Sequence, residues 1–366
     1  MIRLPEDVPL PLYQNDGKPL FIFNRTIKEA VKCVNEKISS GFYRHIENSC
    51  LCGNTEPTND VLIARKDMWG ISVDSVLCSC CGLIRSKSIP DDKALADFYE
   101  TDYKNIYYNS QEPGEAFFSS EENRGAGFLE LIKNEMILDK VTTVFDHGCG
   151  MGGALMPFMK AGKKVSGCDF GKDYIAFGDR KGLNLYQGVL DERQTPKYSQ
   201  DLVIVSHVME HFTDTVKTMQ DIIEVIAPGK YLLVEVPGLY ADHPYKYYPV
   251  WHLQKAHIVN FFYKDFLIEF FTALGLEIIF SNERCTLICK KPHVYQKIKN
   301  VSIRTDRLKE YPQKNLDYFI LSYRSIDLIK WKNPVRIAKT MIKIADFLKL
   351  RFVLNLLFKD SKQWIS

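Results

Sequence analysis

Residues 142–153 run TTVFDHGCGMGG, a short apolar stretch rich in β-formers, then an acid, then glycines at 148, 150, 152 and 153. Such a stretch is a short buried strand, and the glycines after it let backbone approach a neighbour or a ligand closely. A helix, GALMPFMKAG, comes next. Further strands are expected at KKVSGCDF, LNLYQG, QDLVIVSH and KYLLVEVPG, with helices at KDYIAFGDRKG and DTVKTMQDIIEVIAPG. Strands alternating with helices make βαβ units, so the chain is committed to an α/β fold with a parallel sheet. FFYKDFLIEFFTALGLEIIFSNE adds a helix and a strand, and RCTLICKK a last strand, for which an antiparallel edge is expected.

Gly148, Gly150 and Gly153 satisfy G-x-G-x-x-G after a strand and before a helix. The helix N-terminus offers free N–H groups and a positive dipole end to an anion, either a pyrophosphate or a carboxylate. Asp169 ends the next strand, nineteen residues after Gly150, where a carboxylate can accept from both hydroxyls of a ribose. The pair points to a nucleoside cofactor; the bland alternative is a tight turn whose glycines serve packing alone. Asp146, just before the glycines, separates the cofactors. It would repel a pyrophosphate, whereas a sulfonium cofactor with an amino-acid tail presents an ammonium that a carboxylate attracts.

With these blocks in order, residues 128–290 resemble a class I S-adenosylmethionine-dependent methyltransferase. The family's hhD-x-G-x-G-x-G block is matched from Val144 to Gly152, its acidic strand end at Asp169, and its fourth strand by DLVIVSHVMEHFTD. The resemblance implies a Rossmann-like class I sheet with helices on both faces. It also implies that Asp146, Gly148, Gly150 and Gly152 hold the methionine part, with Asp169 and Phe170 at the ribose. Val189 and Leu190 would flank adenine, and Ser206 and His207 would face the cofactor. Residues 256–262, AHIVNFF, resemble the EH-x-x-YF segment of sugar C-methyltransferases, with Ala256 in place of the glutamate. On that likeness His257 is the candidate general base, its alternative role being a cap on the following helix. His211 is a second candidate, although the Glu210–His211 pair is often structural in this family. A base matters only where the acceptor must lose a proton, and histidine suits that at neutral pH.

Five of the ten cysteines fall between residues 50 and 81. Cys78-x-x-Cys81-Gly82 is a zinc-knuckle half-site, and Cys50-x-Cys52 supplies a second, shorter pair. Four cysteines, Cys50, Cys52, Cys78 and Cys81, are thus expected to hold a structural zinc ion, with Cys80 a bystander. Two strands around a turn at Trp69-Gly70 lie between the pairs. The region resembles the small zinc-binding domain ahead of some sugar and polysaccharide-pathway methyltransferases, in which CSCCGL and FYETDY have counterparts. That likeness makes a nucleotide sugar or glycan precursor the leading acceptor.

The division read from the chain is an N-terminal arm and zinc module (1–110), a polar linker or lid (111–127), a cofactor-binding domain (128–291) and a helical extension (292–366). Asn24 is expected to cap a helix that stops at Gly41. The Tyr- and Pro-rich run 238–252 is expected to form an acceptor-side lid. The net charge of +3 argues against nucleic-acid binding. No secretory h-region and no uncharged apolar run of about 18 residues is present, so a cytoplasmic protein is expected. Basic residues interrupt the apolar stretch 334–360, which leaves packing on the domain or a second subunit, or lying at a membrane surface. The oligomeric state is open. Two rival functions remain at this stage: an NAD(P)-dependent sugar-modifying oxidoreductase, and a non-catalytic binding protein with a vestigial cofactor fold.

Overall fold

The computed structural model describes residues 2–3, 14–19, 23–107, 114–240 and 257–332. The strands are β1 (His45–Glu47), β2 (Asp60–Lys66), β3 (Ser72–Cys78), β4 (Ile84–Ser86), β5 (Ser88–Pro90), β6 (Thr143–His147), β7 (Lys164–Asp169), β8 (Asn184–Gln187), β9 (Gln200–Ser206), β10 (Ile226–Glu235), β11 (Asn260–Phe261), β12 (Glu277–Ser281) and β13 (Thr286–Lys290). The helices are α1 (Arg25–Ser39), α2 (Asp92–Asp97), α3 (Tyr103–Tyr107), α4 (Glu115–Asn134), α5 (Met156–Lys160), α6 (Lys172–Arg180), α7 (Thr215–Val225), α8 (Lys264–Ala273) and α9 (Tyr311–Lys332).

Seven strands make the central sheet in the order β12-β13-β10-β9-β6-β7-β8. Neighbours from β10 through β8 pair in parallel. Alternation along each strand splits the core in two. Leu202 and Ile204 of β9 face a cluster with Ile132, Phe158 and Phe177, from α4, α5 and α6. Val203 and Val205 face the other way, onto Met219, Ile223, Phe266 and Phe270 of α7 and α8. Helices therefore cover both faces, as a parallel sheet requires.

The antiparallel strand is β13, and it is not at the edge. It sits between β10 and β12, paired antiparallel to both, so that β12 forms the edge. The chain passes α8, lays β12 outermost, and turns back through Asn282–Cys285 to fill the gap. The IAPG segment, expected to end α7, begins β10 instead. Ile226 pairs with Gln200, and the register shifts before Tyr231, where Pro228 and Gly229 bulge. A side chain at Gly229 would strike the ring of His293.

The segment 111–127 was expected to be a linker or lid. From Glu115 onward it is instead the first part of α4, a 20-residue helix. Its buried positions, Phe118, Glu121, Gly125, Phe128 and Ile132, recur at spacings of three and four and form one face. Gly125 lets that face touch the glycine loop: an added Cβ would lie 2.2 Å from the carbonyl oxygen of Ala154.

The N-terminal module is joined to the sheet domain. Asn24 caps α1 by accepting from the N–H of Ile27, and Gly41 follows its end in a left-handed conformation, φ +76°. β2 and β3 form the expected hairpin, β4 adds to β3, and β11 of the sheet domain completes a four-stranded sheet in the order β11-β4-β3-β2. Module residues Ile63, Leu77 and Leu83 share one core with Phe262, Phe266 and Phe270.

Residues 292–310 are not helical apart from one turn at Thr305–Arg307. They run across α7, where Gln220 donates to the carbonyl of Ile298 (2.6 Å) and Lys297 pairs with Asp221 (3.0 Å). α9 then packs Leu316, Phe319 and Ile320 into the core. No helix among the described residues is long and apolar enough to cross a membrane. Most of the expected lid and the basic stretch 334–360 lie outside the described residues.

Candidate active site

The strands β6, β7, β9 and β10 end on one side of the sheet, where an open α/β sheet binds its ligands. Asp146, Asp169, Ser206 and Glu235 lie at those ends. Gly148, Gly150 and Gly152 all have positive φ, at +75°, +57° and +78°. The room there is small: a Cβ on Gly148 would lie 2.4 Å from Val208, and one on Gly150 would lie 2.3 Å from Glu121. Only glycine serves at these positions.

The loop is held from two sides by carboxylates. Asp169 accepts from the N–H of Gly150 (2.9 Å) and from that of Gly171 (2.8 Å). Glu121, from α4, accepts from the N–H of Gly153 (3.1 Å). Beneath them Asp146 is buried, and its Oδ1 has no hydrogen-bond partner among the described residues. Burial above all, then the charges of Glu121 and Asp169, pushes the Asp146 carboxyl up to about 8. Burial likewise lifts Glu121 to about 7 and raises Asp169. Three acids crowd one site, with Arg124 beside Glu235 (3.9 Å) as a nearby cation. This cradle disfavours a pyrophosphate and suits a ligand that brings positive charge.

His207 follows β9 with φ +55°, a strained conformation for a non-glycine residue. Its Nε2 lies 3.4 Å from Glu235 and its Nδ1 3.8 Å from Glu210. Burial would lower its pKa, but the two carboxylates, Glu210 first, win and raise it to about 9. The ring is therefore charged at neutral pH and already carries the proton that a base would accept. Ser206 donates to Glu235 (3.0 Å), so Glu235 gathers Ser206, His207 and Arg124 at one strand end.

Further out, Phe170 and Val189 are exposed. Gln187 donates to the carbonyl of Phe170 (3.2 Å), which ties the end of β8 to the turn after β7. Val189 and Leu190 line an open cavity of about 510 Å³ together with Tyr186 and Asp191.

His257 is buried and enclosed by rings. His211 stacks on it with centroids 4.8 Å apart, and Phe98 stacks at 5.8 Å. Tyr103 and Tyr99 meet it edge-on at 5.5 and 6.3 Å. His211 sets its Nδ1 3.1 Å from the carbonyl of His257 and its Nε2 3.6 Å from Glu210. Sequence reasoning missed Glu121, Arg124 and Glu235.

The cysteine cluster is assembled as expected. The sulfurs of Cys50, Cys52, Cys78 and Cys81 all lie within 4.8 Å of one another. Cys50 and Cys81 are 3.6 Å apart, and Cys52 and Cys78 3.8 Å. Four thiolates about 2.3 Å from a zinc ion would stand about 3.8 Å apart at tetrahedral angles. Cys80 is outside the group. Arg85, bound to Asp60 by two hydrogen bonds of 3.0 and 2.7 Å, adds a buried cation beside the thiols. The knuckle turn is seated on other elements: Tyr263 donates to the carbonyl of Cys81, and Asn315 of α9 donates to that of Gly82 (2.7 Å).

Residues 120–280 match a family model described as a methyltransferase domain. The match is to a methyltransferase domain and spans less than half of the chain. No curated protein matches the chain. Among solved structures, it is similar to an S-adenosylmethionine-dependent methyltransferase from Archaeoglobus fulgidus at 17% identity and a TM-score of 0.38, over 49% of this chain and 100% of that one. It is also similar to the 1,6-didemethyltoxoflavin-N1-methyltransferase of Burkholderia thailandensis at 14% identity and a TM-score of 0.41, over 57% and 96%. A methyltransferase from Mesorhizobium loti gives 20% identity and a TM-score of 0.25 over 26% of this chain, and the match spans only 47% of the length of that protein.

Proposed function

We propose that the chain transfers a methyl group from S-adenosylmethionine to a small-molecule acceptor, with a nucleotide sugar or glycan precursor the leading candidate. The observation that carries the donor is the acidic cradle: Asp146 is buried with an oxygen that has no partner among the described residues, and Glu121 and Asp169 stand beside it. A cationic amino-acid tail fits that charge, and a dinucleotide pyrophosphate does not.

When bound, the cofactor supplies an electrophilic methyl group. The chain's part is alignment and, for an acceptor that must lose a proton, a base. Asp146, Gly148, Gly150 and Gly152 would hold the methionine end, and Arg124 is a cation that could serve its carboxylate. Asp169 would take the ribose hydroxyls, with Phe170, Val189 and Leu190 around the adenine and Ser206 and His207 closing the floor. His207, a charged imidazolium between two carboxylates, is a binding group. His257 is the base of choice and His211 the partner that orients it, since the ring nitrogens of His211 lie near the carbonyl of His257 and Glu210.

The four cysteines would hold zinc, with no open position for chemistry. The acceptor class rests on likeness in the knuckle and in residues 256–262. The test is a screen of sugar nucleotides for methyl transfer, with product analysis. Methylated product that disappears in His257→Gln, while donor affinity persists, supports the reading. Transfer that survives in His257→Gln removes the base from it, and no methylated sugar across the screen removes the acceptor class.

A further inference from the structure

The reaction as proposed uses His257 but does not explain what aims it. The backbone that carries it is gripped from outside the methyltransferase sheet. Ser86 of β4 is fully buried. Its hydroxyl donates to the carbonyl of Ile258 (2.7 Å), and its N–H donates to the carbonyl of Val259 (3.0 Å). Asn48 braces Ser86 in turn, donating to its carbonyl (2.9 Å) and reaching the carbonyl of Val259 at 3.5 Å. The N–H of Val259 donates to the carbonyl of Glu210 (2.8 Å). Asn260 and Phe261 then pair with Arg85 and Ile84 as β11. From 257 to 261 the chain is therefore spliced between the Glu210 turn and the N-terminal module.

β4 is also the second arm of the cysteine knuckle. Cys78 ends β3, Cys81 lies in the turn, and β4 begins at Ile84. Whatever fixes the four sulfurs fixes the angle at which β4, and so Ser86, meets residues 258 and 259. Phe98, Tyr99 and Tyr103, the aromatic walls around His257, come from the N-terminal side of the chain as well. We propose that Ser86 is a positioning residue for His257, and that the metal knuckle acts on the methyl-transfer site through this strand. The inference rests on the proposed role of His257, and it gives the cysteine module a positioning role toward the methyl-transfer site.

The test uses the full chain and has one arm that needs no acceptor. Hydrogen exchange is followed by mass spectrometry on peptides covering 45–90, 145–155 and 257–263, with and without removal of metal by a chelator. Loss of one buried hydrogen bond in Ser86→Ala should speed exchange in 257–263 by roughly tenfold. Metal removal should do the same, and in both cases exchange in 145–155 and donor affinity should stay within about twofold. Ser86→Thr, which keeps the hydroxyl, should retain most of the protection. With an acceptor in hand, Ser86→Ala should lower turnover about tenfold at unchanged donor affinity. Exchange that rises only within 45–90, with 257–263 still protected, would overturn the inference. So would equal loss of turnover in the Ala and Thr variants. A wild-type chain that binds no S-adenosylmethionine would instead defeat the proposed function, while the exchange arm still judged the link from Ser86 to 257–263.

Discussion

Lowering the pH should weaken donor binding through one buried carboxyl. Asp146 sits at about 8 before the ligand arrives, because burial and two neighbouring acids favour its neutral form. A ligand that brings an ammonium needs it charged, so binding below that value must expel a proton. The sign follows. A group whose pKa falls on binding costs affinity as pH drops below its value in the free protein. If the carboxyl stays ionised in the complex, the free-protein population competent to bind falls about 75-fold between pH 7.5 and 5.5, or about 2.5 kcal/mol. His207, raised to about 9, stays charged across this window and adds no slope. Glu121, at about 7, can add its own share. The cofactor's α-amino group loses its proton near about 8, so the acid limb is the informative one. Calorimetry at several pH values, in buffers of different ionisation enthalpy, gives both the affinity and the proton count. Asp146→Asn should bind more weakly at pH 7.5 and lose about one proton from the slope. Affinity constant within twofold from pH 5.5 to 7.5, or an equal slope in the Asn variant, would refute the reasoning.

Three other outcomes are expected. Asp169→Ala removes the acceptor of the Gly150 and Gly171 N–H groups and the proposed ribose contact, so donor affinity should fall by at least tenfold; calorimetry checks it. Gly125→Val pushes a side chain onto Ala154 and should destabilise the chain by about 1–3 kcal/mol, read from denaturant unfolding. Metal analysis of the purified chain should find one zinc per chain, falling to near zero in Cys78→Ser/Cys81→Ser.

Local features carried much of this site in the sequence. The glycine loop and Asp169 stand out in the sequence because their arrangement, a strand end and the turn beside it, depends on residues close in the chain. The knuckle was legible for the same reason, since each cysteine pair sits in one turn. α4 was harder. Its buried face at 118, 121, 125, 128 and 132 has helical spacing, yet a glutamate and a glycine occupy two of those places. A reading weighted by hydrophobicity saw polar, glycine-containing chain, and so missed Glu121 and Arg124. Glu121 is polar because it accepts from the loop at Gly153, Arg124 stands beside Glu235, and Gly125 is small because Ala154 touches it. β11 left no signal at all. Two residues make no periodic pattern, and the pairing depends on a strand more than 170 residues away. The position of β13 between β10 and β12 is likewise a matter of tertiary order, invisible in its own apolar alternation.

Donor identity is the point on which the account stands. Calorimetry of the purified full chain with S-adenosylmethionine, S-adenosylhomocysteine and NAD, each against wild type and Asp169→Ala, measures it directly. Saturable binding of both sulfur nucleosides at one site, mutual competition, loss in the variant, and no heat with NAD are the expected results. Binding of NAD in place of S-adenosylmethionine would contradict the proposed donor.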